Sequence, residues 1–162
     1  MSFAKHRGGW IIVVSFLVAF LLVELPLPAW AVIWRPAWAA MVLIYWCLAI
    51  PERVGIGSGW LVGLILDVLG GNLLGQHALG LGIVAFIAGK FHQRIRVLPI
   101  WQQGIGVFGL IMLYQLLVLW INGIQGHPIP EWAYLSSALT STILWPWAFI
   151  ILRDIRRKYR VT

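Results

Sequence analysis

Long apolar runs make up most of this chain, and short segments rich in proline, glycine or charge separate them. The first run, WIIVVSFLVAFLLVEL, spans Trp10 to Leu25 and carries one charged residue, Glu24. A helix needs about 20 mostly apolar residues to cross a bilayer, and continuous apolar runs of this length favour helices over half-buried strands. The pattern predicts six membrane-spanning helices, at residues 10–25, 37–50, 57–69, 76–91, 104–121 and 132–152.

Proline placement supports these boundaries. Seven of the eight prolines lie between the runs, where proline ends one helix or opens the next. Pro146 alone lies inside a run, between Trp145 and Trp147, and there it predicts a kink in the sixth helix. This kinked aromatic segment is a candidate partner surface, with internal packing as the alternative.

The composition of the whole chain is also typical of a membrane protein. Of the 162 residues, 61% are hydrophobic and 10% charged, and the mean hydropathy is +0.89. These values exclude an ordinary soluble domain. Six spans leave no room for a soluble domain of about 50 residues or more. We therefore expect an all-α integral membrane protein with a single polytopic domain over residues 1–162.

The basic residues predict its orientation. If the N-terminus is cytoplasmic, eleven of the twelve lysines and arginines lie on the cytoplasmic side, and Arg35 alone lies outside. Because Lys and Arg concentrate in cytoplasmic loops, both termini are predicted to be inside. The net charge of +7 then reflects topology. No segment outside the membrane is large enough for a nucleic-acid surface, so no nucleic-acid partner is expected.

The N-terminal segment has a second interpretation. Basic residues, an apolar run, and Ala29 and Ala31 in A-x-A positions also fit a cleaved signal peptide. We favour retention, because Trp30, Trp34 and the second run resemble an interfacial hairpin. The mass of the purified N-terminus distinguishes the two.

The chain carries no signature of catalysis or of metal binding. Its four histidines fall in four separate segments, and Cys47 is the single cysteine. No second carboxylate accompanies Asp67 in sequence, and the glycines lack the lysine of a phosphate-binding loop. We expect no metal, no cofactor and no enzyme activity.

A ladder of glycines surrounds one carboxylate. Glycines occur every fourth residue from Gly55 to Gly75, except that Asp67 takes one of these positions. On a helix, Gly59, Gly63 and Asp67 share one face, and small residues at this spacing let two helices approach closely.

Two roles for Asp67 are open. A structural role, as a hydrogen-bonded helix contact or as the cap of the turn at 70–72, is favoured over a proton or ligand role. Buried carboxylates in membranes usually face protein or water. The other polar residues near the outer helix ends are too sparse for a proton relay: Glu24, Asn72, Gln76, Gln115 and Asn122.

The last run carries its polar residues in two groups. Hydroxyl residues in its outer half can bond across helices or back to their own helix; they are Ser136, Ser137, Thr140 and Ser141. The basic tail LRDIRRKYR, 152–160, is expected to bind membrane lipids, at about 1 kcal/mol per basic residue near an anionic surface.

With these segments in order, the whole chain resembles the rod shape-determining MreD family of bacteria, in its Gram-negative form. The resemblance rests on WRPAW at 34–38, YWCLAIPERVGIGSGWLVGLILDVLGGNLLG at 45–75, WQQ at 101–103 and LWPWAFIILRDIRR at 144–157. Its most specific positions are Arg35, Pro36, Pro51, Gly59, Gly63, Asp67 and Gly75.

The resemblance implies a noncatalytic inner-membrane scaffold of the cell-elongation complex. It implies direct binding to MreC, and action with the actin-like MreB, the glycosyltransferase RodA and a class B penicillin-binding transpeptidase. It also implies a six-helix fold similar to the substrate-binding subunits of energy-coupling-factor transporters. The competing hypothesis is a small-molecule-binding or transporter subunit, with a periplasm-facing cavity near Asp67, Asn72 and Gln76.

Overall fold

The computed structural model of the protein describes residues 9–26, 28, 34–35, 37–51, 54–70, 74–124, 126 and 131–159. Across these residues it contains seven helices and no strand. We number the helices in chain order: α1 (Gly9–Val23), α2 (Trp38–Ala49), α3 (Ile56–Gly70), α4 (Gln76–Lys90), α5 (His92–Arg96), α6 (Ile100–Ile124) and α7 (Glu131–Lys158). The all-helical prediction is confirmed. The predicted cleavage positions Ala29 and Ala31 lie outside the described residues.

Six of the helices coincide with the six predicted runs, but two are longer. Helix α6 begins at Ile100 and α7 continues to Lys158. The apolar runs underestimated both helices, because polar residues at a helix end can be helical without belonging to an apolar run. Helix α5 was not expected. It has five residues, two of them arginines, and so it lacks an apolar run.

Two helices are long and apolar enough to cross a membrane on their own. They are α6 and the part of α7 from Ser136 to Lys158. Helices α1, α2 and most of α3 are apolar but shorter. Helix α7 runs through Pro146 as one continuous helix.

Helix α2 is the centre of the bundle and contacts each of the other six helices. Its sequence, WAAMVLIYWCLA, is apolar on all sides, as expected for a helix surrounded by other helices. The Trp46 side chain is fully buried, and its Nε1 donates a hydrogen bond of 2.9 Å to Ser15 Oγ of α1. Ser15 Oγ in turn donates to Ile12 O at 2.6 Å. A polar contact therefore supplements the apolar packing of α1 on α2.

Candidate functional site

Helices α3 and α4 form a hairpin whose backbones approach closely at two glycines of α3. A Cβ built on Gly63 would lie 2.3 Å from Ala78 Cα and 2.4 Å from Ala78 N. A Cβ built on Gly59 would lie 2.7 Å from Leu81 O. The atoms in the way are mostly backbone, which cannot move aside as a flexible side chain can. The close approach that the spacing predicts therefore occurs between α3 and α4.

The glycine ladder does not continue as one helical face. Gly75 lies outside α3, immediately before α4, and has a left-handed backbone with φ of 101°. Gly55 would meet only Pro51 O, at 3.9 Å, and Pro51 lies in the turn between α2 and α3. Gly71 lies outside the described residues. The equally spaced glycines therefore have two different roles. Gly59 and Gly63 allow close helix packing, whereas Gly75 adopts a left-handed backbone that favours glycine.

The Asp67 carboxylate binds the start of α4. Its side chain is completely buried. Oδ2 accepts a hydrogen bond from Gly75 N at 2.9 Å, and Oδ1 accepts one from His77 N at 3.0 Å. The first N–H groups of a helix have no partner within it, and the helix dipole favours a negative group there. Asp67 therefore caps α4 from the neighbouring helix.

His77 is the second partner of Asp67. Its ring Nδ1 lies 2.6 Å from Asp67 Oδ1 and donates to it in the tautomer that carries the proton on Nδ1. The His77 ring also lies 5.9 Å from the Tyr114 ring of α6, measured between centroids. The Asp67 and His77 pair thus connects α3 and α4 beside α6.

Of the two structural roles considered for Asp67, the hydrogen-bonded contact between helices is present. Asn72, in the other predicted turn, lies outside the described residues. His77 was not among the predicted partners of Asp67, which were all carboxylates and amides. The short connection between α3 and α4 could have indicated this pair. Asp67 lies three residues before α3 ends and His77 is the second residue of α4.

A second polar junction joins the start of α2 to α7. Ser137 Oγ donates to Arg35 O at 2.8 Å, and Ser141 Oγ accepts from Ala37 N at 2.9 Å. Both hydroxyls lie on the predicted polar part of α7. Ser141 Oγ also donates to Ser137 O at 2.8 Å, within α7. Arg35 reaches the end of α1, where its guanidinium donates to Leu25 O at 2.5 Å. Pro36 lies outside the described residues.

Three of the other predicted polar residues, Gln76, Asn122 and Gln115, form side-chain hydrogen bonds between helices. Gln76 Nε2 donates to Asn122 Oδ1 at 2.7 Å, which connects α4 to α6. Gln115 Nε2 donates to Ser137 Oγ at 3.2 Å. These bonds connect helices to one another.

The predicted aromatic surface around Pro146 divides into two parts. Trp145 is completely buried, whereas 61% of Trp147 is exposed. Residues two apart on a helix point in nearly opposite directions. Trp147 therefore lies on the surface of the bundle, and Trp145 belongs to the core.

Throughout the described part of the chain, no three His, Cys, Asp or Glu side chains are grouped so as to hold a metal ion. The polar side chains described above form hydrogen bonds between helices and, at Ser15 and Ser141, also within a helix. The described residues therefore form a helical bundle joined by buried polar contacts, and two of its helices have the length and composition to span a bilayer, as in a helical membrane protein.

The comparisons with known proteins identify the family. The family model described as rod shape-determining protein MreD matches residues 4–155. The chain is also 37% identical, over 153 residues, to the rod shape-determining protein MreD of Haemophilus influenzae, covering 94% of each chain. No solved structure matches it. The chain belongs to the MreD family, a family of membrane proteins that determine rod shape and are not a known enzyme family.

Proposed function

We propose that this protein is a noncatalytic, multi-pass scaffold of the bacterial inner membrane that binds MreC directly. Through MreC it acts with MreB, RodA and a class B penicillin-binding transpeptidase, and so connects the cytoskeleton to peptidoglycan synthesis. The observation that carries the proposal is the family match over nearly the whole chain. The polar side chains support it, because the buried ones described above are engaged in joining helices.

The Asp67 carboxylate already accepts hydrogen bonds from within the protein, and this favours a scaffold over a transporter subunit. A ligand would have to compete for Asp67 with Gly75 N, His77 N and the His77 ring, all within 3.0 Å. Gln76, the other candidate for lining a periplasmic cavity, bonds Asn122. Both residues stabilise the helix contacts on which a rigid scaffold depends.

The architecture proposed for this scaffold has six spans with both termini in the cytoplasm. It is related to the substrate-binding subunits of energy-coupling-factor transporters. The six apolar helices and the bias of basic residues support it. A reporter that is active only in the periplasm, fused after Thr162, is expected to be silent, and a cytoplasmic reporter at the same position is expected to be active. The reverse pattern would refute six spans with both termini in the cytoplasm.

Partner contacts are expected to lie mostly within the bilayer, because the connections between helices are short. Trp147→Ala is expected to leave membrane abundance unchanged and to reduce the recovery of MreC, because it removes an exposed aromatic surface. Trp145→Ala is expected to reduce abundance itself, at a cost of about 3 to 5 kcal/mol for an emptied core site. The measurement is the ratio of MreC to this protein after extraction from membranes. Equal ratios for Trp147→Ala and the unaltered protein would exclude Trp147 from the contact.

The proposal as a whole is tested in cells depleted of their own MreD. Expression of this chain is expected to restore rod shape and to do so only when MreC is present. Restoration in cells that lack MreC would contradict a role as MreC's scaffold.

A further inference from the structure

A long groove runs along the outside of the bundle between α1 and α7, with α2 between them at its base. Its volume is about 610 Å³. Side chains from Trp10 to Leu22 line it on the α1 side, and side chains from Trp147 to Tyr159 line it on the α7 side. Val42 of α2 is partly exposed and lines the same groove. The groove is therefore open on its outer side and bounded by three helices.

The walls of the groove are apolar along most of their length. On α1, Val14, Val18 and Leu22 repeat every fourth residue and so share one face of the helix. On α7, Ile151 and Ile155 repeat in the same way. The side chains of Val14, Val18 and Ile151 are exposed. Such a surface is suited to an apolar ligand.

The end of the groove at Tyr159 has a different character. The Trp10 and Tyr159 rings meet edge to face there, with centroids 5.3 Å apart. Tryptophan and tyrosine are enriched where lipid headgroups meet the bilayer core, so this pair indicates the headgroup level. Lys158 lines the same end, and it alone carries a charge among the lining residues that the structure describes. The groove thus combines an apolar body with one cationic end.

The dimensions of the groove decide between a lipid chain and a helix. From Trp10 to Leu22, α1 rises about 18 Å, slightly more than the half of the hydrocarbon core that belongs to one leaflet, about 15 Å. Sixteen chain carbons, each about as large as a water molecule at about 30 Å³, occupy about 480 Å³. This is less than the 610 Å³ of the groove. A helix about 10 Å across would occupy about 1,400 Å³ over the same length, which is too much.

We propose that this groove binds one anionic phospholipid. One acyl chain lies against Val14, Val18 and Ile151, and the phosphate lies at Lys158. An ammonium group forms charge-assisted hydrogen bonds with phosphate, so Lys158 selects the charged end of the lipid. In the proposed orientation of the protein, the lipid belongs to the cytoplasmic leaflet. The site does not depend on the scaffold function.

The test is a lipid titration of the delipidated full chain in detergent, with bound lipids counted by native mass spectrometry. One phosphatidylglycerol per protein is expected to bind about fivefold more tightly than phosphatidylcholine with the same chains, the factor that corresponds to about 1 kcal/mol for one basic residue near an anionic headgroup. Equal affinities for the two lipids would overturn the role of Lys158. Glycerol phosphate, which has no acyl chain, is expected not to bind. Binding of glycerol phosphate as tight as that of the lipid would overturn the role of the groove.

A matched pair of variants tests the apolar wall. Val14→Trp is expected to weaken phosphatidylglycerol binding at least tenfold, because the larger side chain fills the groove. Val13→Trp is the control, since Val13 is the neighbouring residue, is also exposed and does not line the groove. Its affinity is expected to stay within twofold of the unaltered protein. Equal affinities in the two variants would show that lipids coat the protein without a specific site.

A second matched pair tests the positive charge. Lys158→Gln is expected to weaken phosphatidylglycerol binding about fivefold. Arg157→Gln, at an exposed neighbour that does not line the groove, is expected to weaken it less than twofold. Equal weakening would show general attraction of the basic tail to anionic lipid and would contradict a built site.

The lipid site must also be distinguished from a partner contact, because Trp147 lines one rim of the groove. Val14→Trp is expected to lose lipid affinity and to retain the recovery of MreC from membranes. Loss of MreC recovery with unchanged lipid affinity would show that a partner helix lies against the groove, and would overturn the lipid assignment.

Discussion

Replacing Gly63 with alanine is expected to lower the free energy of unfolding by about 3 kcal/mol, the upper part of the usual range for overpacked sites. The added Cβ would lie 2.3 Å from Ala78 Cα, so α3 and α4 must separate to admit it. Separation would also move Asp67 away from the start of α4. The measurement is unfolding of the detergent-purified protein by a denaturing detergent, with membrane abundance as a second observable. Gly63→Leu is expected to prevent stable accumulation.

Gly57→Ala is the matched control for this change. Gly57 lies on the same helix, is exposed, and a Cβ built there would meet no atom within 4 Å. Alanine favours helix over glycine by about 1 kcal/mol, so this variant is expected to be as stable as the unaltered protein or slightly more stable. If Gly63→Ala were as stable as Gly57→Ala, the α3 and α4 backbones would not be in contact.

Asp67→Leu is expected to have the second large effect. It leaves the N–H groups of Gly75 and His77 and the His77 ring without their acceptor in a buried place. Each buried donor left unpaired costs about 1 to 3 kcal/mol, so a total loss of about 4 kcal/mol is expected. Membrane abundance and the restoration of rod shape should both fall.

Asp67→Asn provides the comparison that decides the role of this residue. Asparagine retains one oxygen for the N–H groups, and its amide nitrogen can donate to His77 Nδ1 in the tautomer protonated on Nε2. The expected loss is about 1 kcal/mol, with most of the rod-shape activity retained. If Asn were as defective as Leu at normal abundance, the ionisable group itself would be required, and a proton or ligand role would replace the structural one.

Continuous apolar runs and proline placement were enough to locate six of the seven helices in the described residues. Helix α5 was not predicted, because its five residues include two arginines and form no apolar run. The spacing of Gly59 and Gly63 predicted a close helix contact, but it could not identify α4 as the partner, since that depends on how the chain turns back. Periodicity also placed Gly75 on the same ladder, although its left-handed backbone serves the connection instead.

The partners of the polar residues were harder to predict than the helices. His77 is ten residues from Asp67, and only the tight hairpin brings their atoms within 2.6 Å. Trp145 and Trp147 could have been separated in advance, since helical geometry directs residues two apart to different faces.

We propose that this protein acts by binding MreC as a folded membrane scaffold. The most direct measurement is the amount of MreC recovered with the tagged protein from gently solubilised membranes, with both proteins at native levels. Clear recovery of MreC is expected with the unaltered protein and with Asp67→Asn, and recovery with Gly63→Leu is expected to fall in proportion to the lost abundance of that variant. Failure to recover MreC with an abundant protein that restores rod shape would contradict a function through MreC binding.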